Sequence, residues 1–349
     1  MERIRVLVID DSALIRSVVS ELLASDPQLE VVGTAVDPLD ARDKIKQLNP
    51  DVLTLDIEMP RMDGITFLRN LMRLRPMPVV MLSTLTTQGA DITLEALEIG
   101  AIDFIAKPKT DQNTGLDRFR DVIIEKVKTA AGSGAQLQRV KARRLNRSGS
   151  ERLEVKGAIA SNRLIALGAS TGGTEALRDV LVSLPEQMPP IVVTQHIPAS
   201  FSDRFARRLD KVCVLQVCEA QDQQRLQAGH VYIAPGDRHL KIIQDKHGYF
   251  CQHDSGPEVN RHKPSVDVMY DSLLQLDPSH VVAALLTGMG NDGANGMKRL
   301  RDAGAMTIAQ DEHSSLVWGM PGSAVKLGAA KEVLPLEQVA THLLRSCQR

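Results

Sequence analysis

Short apolar runs alternating with amphipathic stretches, through most of its length, restrict the fold of this chain more than any other feature. From residue 3 to about 127 the runs are Arg5–Ile9 (RVLVI), Glu30–Val32, Val52–Leu55, Val79–Leu82 and Ile102–Ile105. Between them lie segments at helical spacing, clearest over Ala13–Leu23, where Leu14, Ile15, Val18, Val19, Leu22 and Leu23 fall along one side. Runs this short suit strands, and parallel strands need a crossover helix, so the β/α units predict a doubly wound parallel sheet. The pattern resumes at about 158. Strands are expected at Arg163–Leu167, Ile191–Thr194, His280–Leu286 and Met306–Ala309, and helices at Glu175–Leu184, Ser202–Leu209 and Ala294–Ala303. Over 214–253, Gly229, Pro235-Gly236 and Gly248 separate short β-like runs, which predicts inserted β-hairpins. The expected architecture is α/β: two doubly wound parallel-sheet domains, with ligands at the carboxyl ends of the strands.

The two halves join through a basic stretch. Lys128, Arg139, Lys141, Arg143, Arg144, Arg147 and Arg152 face the single acid Glu151, with Gly132, Ser133, Gly134, Ser148, Gly149 and Ser150 among them. Such composition reads as a flexible linker over 128–157, between domains at 1–127 and 158–349. A nucleic-acid arm is the rival reading, but no aromatic residue interleaves the charges. The formal net charge of −1 gives no overall attraction to nucleic acid or an acidic membrane. Four cysteines, Cys213, Cys218, Cys251 and Cys347, have neither CxxC nor zinc spacing. With no apolar stretch of signal-peptide or membrane-span length, a cytoplasmic protein is expected.

Three acids follow the first and third strands of the N-terminal half: Asp10, Asp11 and Asp56. If those strands are adjacent the carboxylates converge, and carboxylates so close call for a cation, for which Mg²⁺ suits oxygen ligands beside a phosphate. Ser83-Thr84 and Lys107-Pro108 close two further strands, offering a hydroxyl and an ammonium to a phosphoryl group held on a carboxylate. Any one of these residues could instead be a solvated strand end or a helix cap; five at one rim argue for a site. Together with Asp56-Ile57-Glu58-Met59-Pro60 and Asp63-Gly64, they resemble the receiver domain of bacterial two-component response regulators. The resemblance implies that Asp56 accepts a phosphoryl group from a histidine kinase. It further implies Mg²⁺ held by Asp11, Asp56 and the Glu58 carbonyl with Asp10 in support, Ser83 as switch hydroxyl, Lys107 as phosphate partner and Phe104 as the aromatic that follows the switch.

In the second half the sequence LIALGASTGGTE, residues 164–175, admits three readings: a phosphate cradle, a presented nucleophile, or a plain turn. Ser170 stands where a dinucleotide-binding loop requires glycine, and no Gly-Lys-Ser/Thr follows for a Walker loop. Gly168-Ala169-Ser170-Thr171-Gly172 matches G-x-S-x-G in a strand–turn–helix setting, although Gly, Ser and Thr also make ordinary turns. Its partners decide between these. His196 directly follows the apolar run 190–195 and shares the sheet rim with Ser170, whereas His239, His253 and His262 fall in hairpins or loops and read as structural. Asp292 closes the LTGMGND segment after another strand; a helix N-cap is its ordinary role, compatible with orienting a histidine. Three strand ends thus carry the residue types of a hydrolytic triad.

The segments GASTGGTEAL, TQHIP, PGDRH, NRHKPSVD and LTGMGNDGA, behind a receiver, resemble the chemotaxis protein-glutamate methylesterases of the CheB family. That resemblance implies Ser170 as nucleophile, His196 as base, Asp292 as orienting carboxylate, and oxyanion donors at the backbone of Thr171 and Met289. It implies hydrolysis of glutamate γ-methyl esters and deamidation of glutamines on chemoreceptor helices, without a cofactor in the hydrolysis, Mg²⁺ serving only the receiver. Arg204, Arg207 and Arg208 share a flank of the helix after His196, which suits a glutamate-rich substrate or is simply a solvated face. The rival function is a response regulator whose output domain binds a small ligand or nucleotide without catalysis.

Overall fold

The computed structural model describes residues 2–348 except 60–62, 85, 108–112, 147–152, 156 and 161. Pro60 and Pro108 of the quoted motifs, and Arg147, Glu151 and Arg152 of the basic stretch, lie outside the described residues. The chain forms two compact units, 1–142 and 143–349.

In the first unit the elements alternate: β1 (Ile4–Ile9), α1 (Ala13–Ala24), β2 (Leu29–Ala35), α2 (Pro38–Leu48), β3 (Val52–Asp56), α3 (Gly64–Leu74), β4 (Val79–Ser83), α4 (Thr87–Ile99), β5 (Asp103–Ala106), α5 (Asn113–Gly132) and α6 (Gly134–Asn146). The strands form one parallel sheet in the order β2-β1-β3-β4-β5, so β1 and β3 are neighbours. Side-chain caps start the helices: the Ser12 hydroxyl accepts from Ile15 N–H and the Asp63 carboxylate from Thr66 N–H. Gly64 sits tight behind the end of β3, since a Cβ there would strike the Asp56 carbonyl.

The basic stretch departs from expectation. Residues 128–146 are helical but for Ser133, and the first unit extends to 142 rather than ending at 127. Ile123, Val127 and Ala130 are fully buried, continuing one helical stripe, and Leu137 is buried beyond it. Lys128 pairs with Asp26 at 3.1 Å. Counting charges and glycines concealed an amphipathic periodicity, and lysine and arginine are good helix formers.

The second unit contains β6 (Leu164–Ala169), α7 (Gly173–Ser183), β7 (Ile191–Gln195), α8 (Ala199–Asp210), β8 (Gln216–Glu219), β9 (His230–Ile233), β10 (His239–Asp245), β11 (Gly248–Asp254), α9 (Val266–Leu273), β12 (Val281–Leu285), α10 (Ala294–Asp302), β13 (Met306–Gln310), α11 (Met320–Lys326), β14 (Glu332–Leu334) and α12 (Leu336–Cys347). Seven strands make a parallel sheet in the order β14-β13-β12-β6-β7-β9-β8. Every residue of β6, β7 and β12 is buried, as expected for strands covered on both faces. Within 214–254, β10 and β11 form an antiparallel hairpin; β8 and β9, expected as hairpin strands, instead pair in parallel and extend the main sheet. Their turn residues carried no information on strand direction. Because β6 is flanked by β7 and β12, the strand order reverses at β6, and in open α/β sheets the carboxyl ends at such a point are where ligands bind.

Candidate active site

Backbone register brings three strand ends level. Gly168 pairs with Leu285 and Ala169 with Gln195. Beyond the strands, Ser170 N–H donates to Thr287 O at 3.0 Å and His196 N–H to Ala169 O at 3.2 Å. The side chain of Gln195 also fixes the turn, donating from Nε2 to Ser170 O at 2.9 Å. Gly172 then takes a left-handed φ of 75° and caps α7, so Ser170 and Thr171 lie just before a helix N-terminus, where partial positive charge favours an oxyanion. Gly288 lies against the turn that carries Ser170; a Cβ there would come within 2.8 Å of Ser170 Cβ and strike Met320 Sδ. Met289 therefore follows a residue in contact with the serine. Thr287 Oγ1 ties the parts together, donating to Thr171 O at 3.0 Å and accepting from Val317 N–H at 3.0 Å.

Asp292 is 1% exposed, and its carboxylate is satisfied on both oxygens. Oδ2 accepts from His196 Nε2 at 2.9 Å and Val266 N–H at 2.6 Å. Oδ1 accepts from Ser265 Oγ at 2.7 Å, Asn260 Nδ2 at 2.8 Å and Asp267 N–H at 3.3 Å. The carboxylate thus sits on the N-terminus of α9. Burial works to raise its pKa, but the hydrogen bond and charge of His196, with Asn260 and Ser265, outweigh that and hold it well below the usual carboxylate range. Among the described residues, neither His196 Nδ1, which is buried, nor the Ser170 hydroxyl has a hydrogen-bond partner. They are the two groups that a general-base step must join, and such bonds are commonly long until substrate binds.

At the rim of the first sheet, Ile9 pairs with Leu55, setting Asp10 beside Asp56. One oxygen from each of Asp10, Asp11 and Asp56 falls within 4.8 Å of the others. Lys107 Nζ bridges Asp10 and Asp56 at 2.8 Å each. Burial raises the Asp56 pKa to about 6, with Lys107 opposing and Asp10 assisting. Burial also works to lower the Lys107 pKa, but the two carboxylates prevail and hold it above the usual lysine value. Ser83 Oγ shares a 2.7 Å hydrogen bond with Thr93 Oγ1 of α4. Phe104 is buried with Lys126 Nζ 5.4 Å from its ring centroid, and the Glu58 side chain lies 3.5 Å from Thr84 Oγ1.

A family model described as CheB methylesterase matches residues 165–343, and one described as response regulator receiver domain matches residues 6–116. The chain belongs to the CheB methylesterase family. A protein-glutamate methylesterase/protein-glutamine glutaminase of Hydrogenovibrio crunogenus is 54% identical to it over 371 residues, covering 99% of each chain. One from Saccharophagus degradans is 56% identical over 345 residues, again covering 99% of each. The crystal structure of the Thermotoga maritima CheB methylesterase catalytic domain superposes with a TM-score of 0.52 at 36% identity, covering 53% of this chain and 99% of that one.

In this CheB family member Ser170 with Thr171, His196, and Met289 with Asp292 follow the carboxyl ends of the adjacent strands β6, β7 and β12, and His196 and Asp292 are hydrogen-bonded. Arg204, Arg207 and Arg208 lie on α8, which starts three residues after His196; Arg207 is exposed and pairs with Asp203 at 2.9 Å. Sequence reasoning passed over Gln195, Asn260 and Thr287, all inside quoted motifs, and took His262 for a structural residue. His262 in fact stacks on His196, with ring centroids 3.7 Å apart. His239 and His253 bond to backbone, at Pro257 O and Ala220 O.

Proposed function

We propose that this chain is a phosphorylation-activated esterase that hydrolyses glutamate γ-methyl esters on chemoreceptor helices and deamidates glutamines there, resetting receptor signalling during chemotaxis. Membership of the CheB family supports it. The observation that carries the mechanism is the His196–Asp292 pair held level with Ser170 at the switch point of the sheet. His196 Nε2–H donates to Asp292, which leaves Nδ1 as the base. Ser170 Oγ attacks the ester carbonyl and passes its proton to Nδ1, while the N–H groups of Thr171 and Met289 hold the oxyanion. Methanol leaves with the proton from Nδ1, and water, deprotonated by the same nitrogen, then releases the glutamate. With a glutamine substrate, ammonia leaves instead.

The receiver is proposed to take its phosphoryl group on Asp56 from a histidine kinase. The Asp10–Asp11–Asp56 cluster fits a small divalent cation: three carboxylates converge, with one lysine to offset them. Asp11, Asp56 and the Glu58 carbonyl would hold Mg²⁺, with Asp10 in support. When bound, the ion neutralises charge on the phosphoryl oxygens during transfer. Ser83 leaves Thr93 for the new phosphoryl group, Lys107 pairs with it, and Phe104 follows Ser83. The unphosphorylated receiver restrains the esterase, and phosphorylation lifts the restraint. No helix among the described residues is long and apolar enough to cross a membrane; both partners are met in the cytoplasm.

A fluorophosphonate probe tests the nucleophile. Mass spectrometry of the treated full chain is expected to find one adduct, on Ser170, lost in His196→Ala. A noncatalytic output domain would give no adduct, and labelling spread over several serines would reject an activated Ser170.

A further inference from the structure

The segment from Val259 to Asp267 ends in the Asp292 cradle, yet its first half makes a separate structure. Val259 and His262 exchange both backbone hydrogen bonds, at 3.0 and 2.9 Å, closing a two-residue loop. Asn260 and Arg261 between them have φ of 52° and 67°. Two consecutive left-handed residues define the tight reverse turn that normally takes Asn-Gly. Asparagine tolerates that conformation, whereas arginine adopts it at a cost, so the surroundings must impose it.

The imposing contacts lie on either side. His239 Nε2 donates to Pro257 O at 2.9 Å, and His239 Nδ1 accepts from Ser265 N–H at 3.1 Å. One buried imidazole on β10 therefore pins the chain before and after the turn. From the turn, two side chains reach the pair at the centre of the site. Asn260 Nδ2 spans Asp292 Oδ1 at 2.8 Å and Asp267 Oδ2 at 2.7 Å. The His262 ring lies nearly parallel to that of His196, 13° between planes and 3.7 Å between centroids.

A hydrogen bond at one edge of an imidazole leaves the ring free to tilt about that bond. A flat group packed on its face removes this freedom, since parallel rings 3.7 Å apart are in van der Waals contact. We propose that His262 is a positioning residue for His196: delivered by the 259–262 turn, its ring holds the imidazole in the one plane that serves Asp292 at Nε2 and Ser170 at Nδ1. This rests on the triad reading above. What His262 supplies is its flat face. Its proton is not used.

Substituting the flat face by shape tests the idea in the full chain, phosphorylated and acting on methyl-labelled receptor membranes. His262→Phe keeps a plane and no titratable group; His262→Leu fills similar space without one; His262→Ala leaves a gap. The Phe variant is expected within about threefold of the natural chain in kcat, and the Leu and Ala variants about ten- to a hundredfold lower with KM little changed, the size of loss that misplacing a catalytic group by about 1 Å brings. Labelled-histidine NMR should show the His196 ring protons shifted upfield in the natural chain and the Phe variant, and not in the Leu variant. If Ala does not fold, the Phe–Leu comparison decides alone. Leu matching Phe in kcat would overturn the proposal, as would Phe falling as low as Leu, which would make His262 a chemical participant. Full activity in Ser170→Ala would instead remove the triad reading on which it stands.

Discussion

Two aspartates, Asp292 and Asp56, show how surroundings decide what a carboxylate does. Asp292 is buried yet held ionised, because five donors meet its two oxygens. Asp56 is buried beside another carboxylate, a cost that Lys107 and the Glu58 backbone hydrogen bond offset only in part, and its pKa rises to about 6. The folded receiver thus binds the Asp56 proton more tightly than the unfolded chain does. Its ionisation opposes folding above pH 6, and that cost fades as the pH falls from 6 towards 4. In metal-free buffer, Asp56→Asn should stabilise the receiver at pH 7.5 by on the order of 2 kcal/mol, from a shift of about two pKa units at about 1.4 kcal/mol each, discounted for partial solvation. The gain should vanish near pH 4. Urea unfolding at both pH values checks this, and a gain independent of pH would assign it to something other than ionisation. At this scale the sequence was legible where a residue stood at a strand end: the register brought Asp10, Asp56, Ser170 and His196 where alternation predicted. Asn260 and His262 were not legible, because their positions depend on a left-handed turn imposed by His239 from another element.

Elements place these residues by close backbone approach as much as by hydrogen bonding. The loop after β12 lies against the turn that carries Ser170 only because residue 288 lacks a side chain. Gly288→Ala should therefore cost activity out of proportion to stability, with kcat falling tenfold or more while the melting temperature drops by a few degrees. Equal collapse of both would mean that the loop serves the fold alone. On α8, Phe201, Phe205 and Leu209 face the core, and Arg207 is exposed. Charge reversal is unnecessary to test its role. Replacing Arg207 and Arg208 by glutamine should raise KM for receptor membranes and flatten its dependence on ionic strength, leaving hydrolysis of a small neutral ester unchanged. No change with either substrate would make α8 an ordinary solvated helix. Helices and central strands were readable from periodicity alone. The parallel pairing of β8 and β9 was not, since direction is set by where the chain returns and not by local composition. The helical course of residues 128–146 was obscured by charge, although its buried stripe was present in the sequence.

In the molecule as a whole, two parallel sheets in one chain carry the two proposed chemistries, phosphoryl acceptance at the strand ends of the first and hydrolysis at those of the second. None of the proposed hydrolytic steps uses a receiver residue, so in this proposal phosphorylation acts on how readily the second site works and not on its parts. The most direct measurement is the release of labelled methanol from methyl-labelled receptor membranes, with and without a small-molecule phosphodonor and Mg²⁺. The natural chain should release methanol slowly and then markedly faster with the donor. Asp56→Asn should stay at the slow rate under both conditions, and Ser170→Ala should release none while still taking up phosphate on Asp56. Methanol release by Ser170→Ala at the natural rate, or acceleration of Asp56→Asn by the donor, would contradict the account.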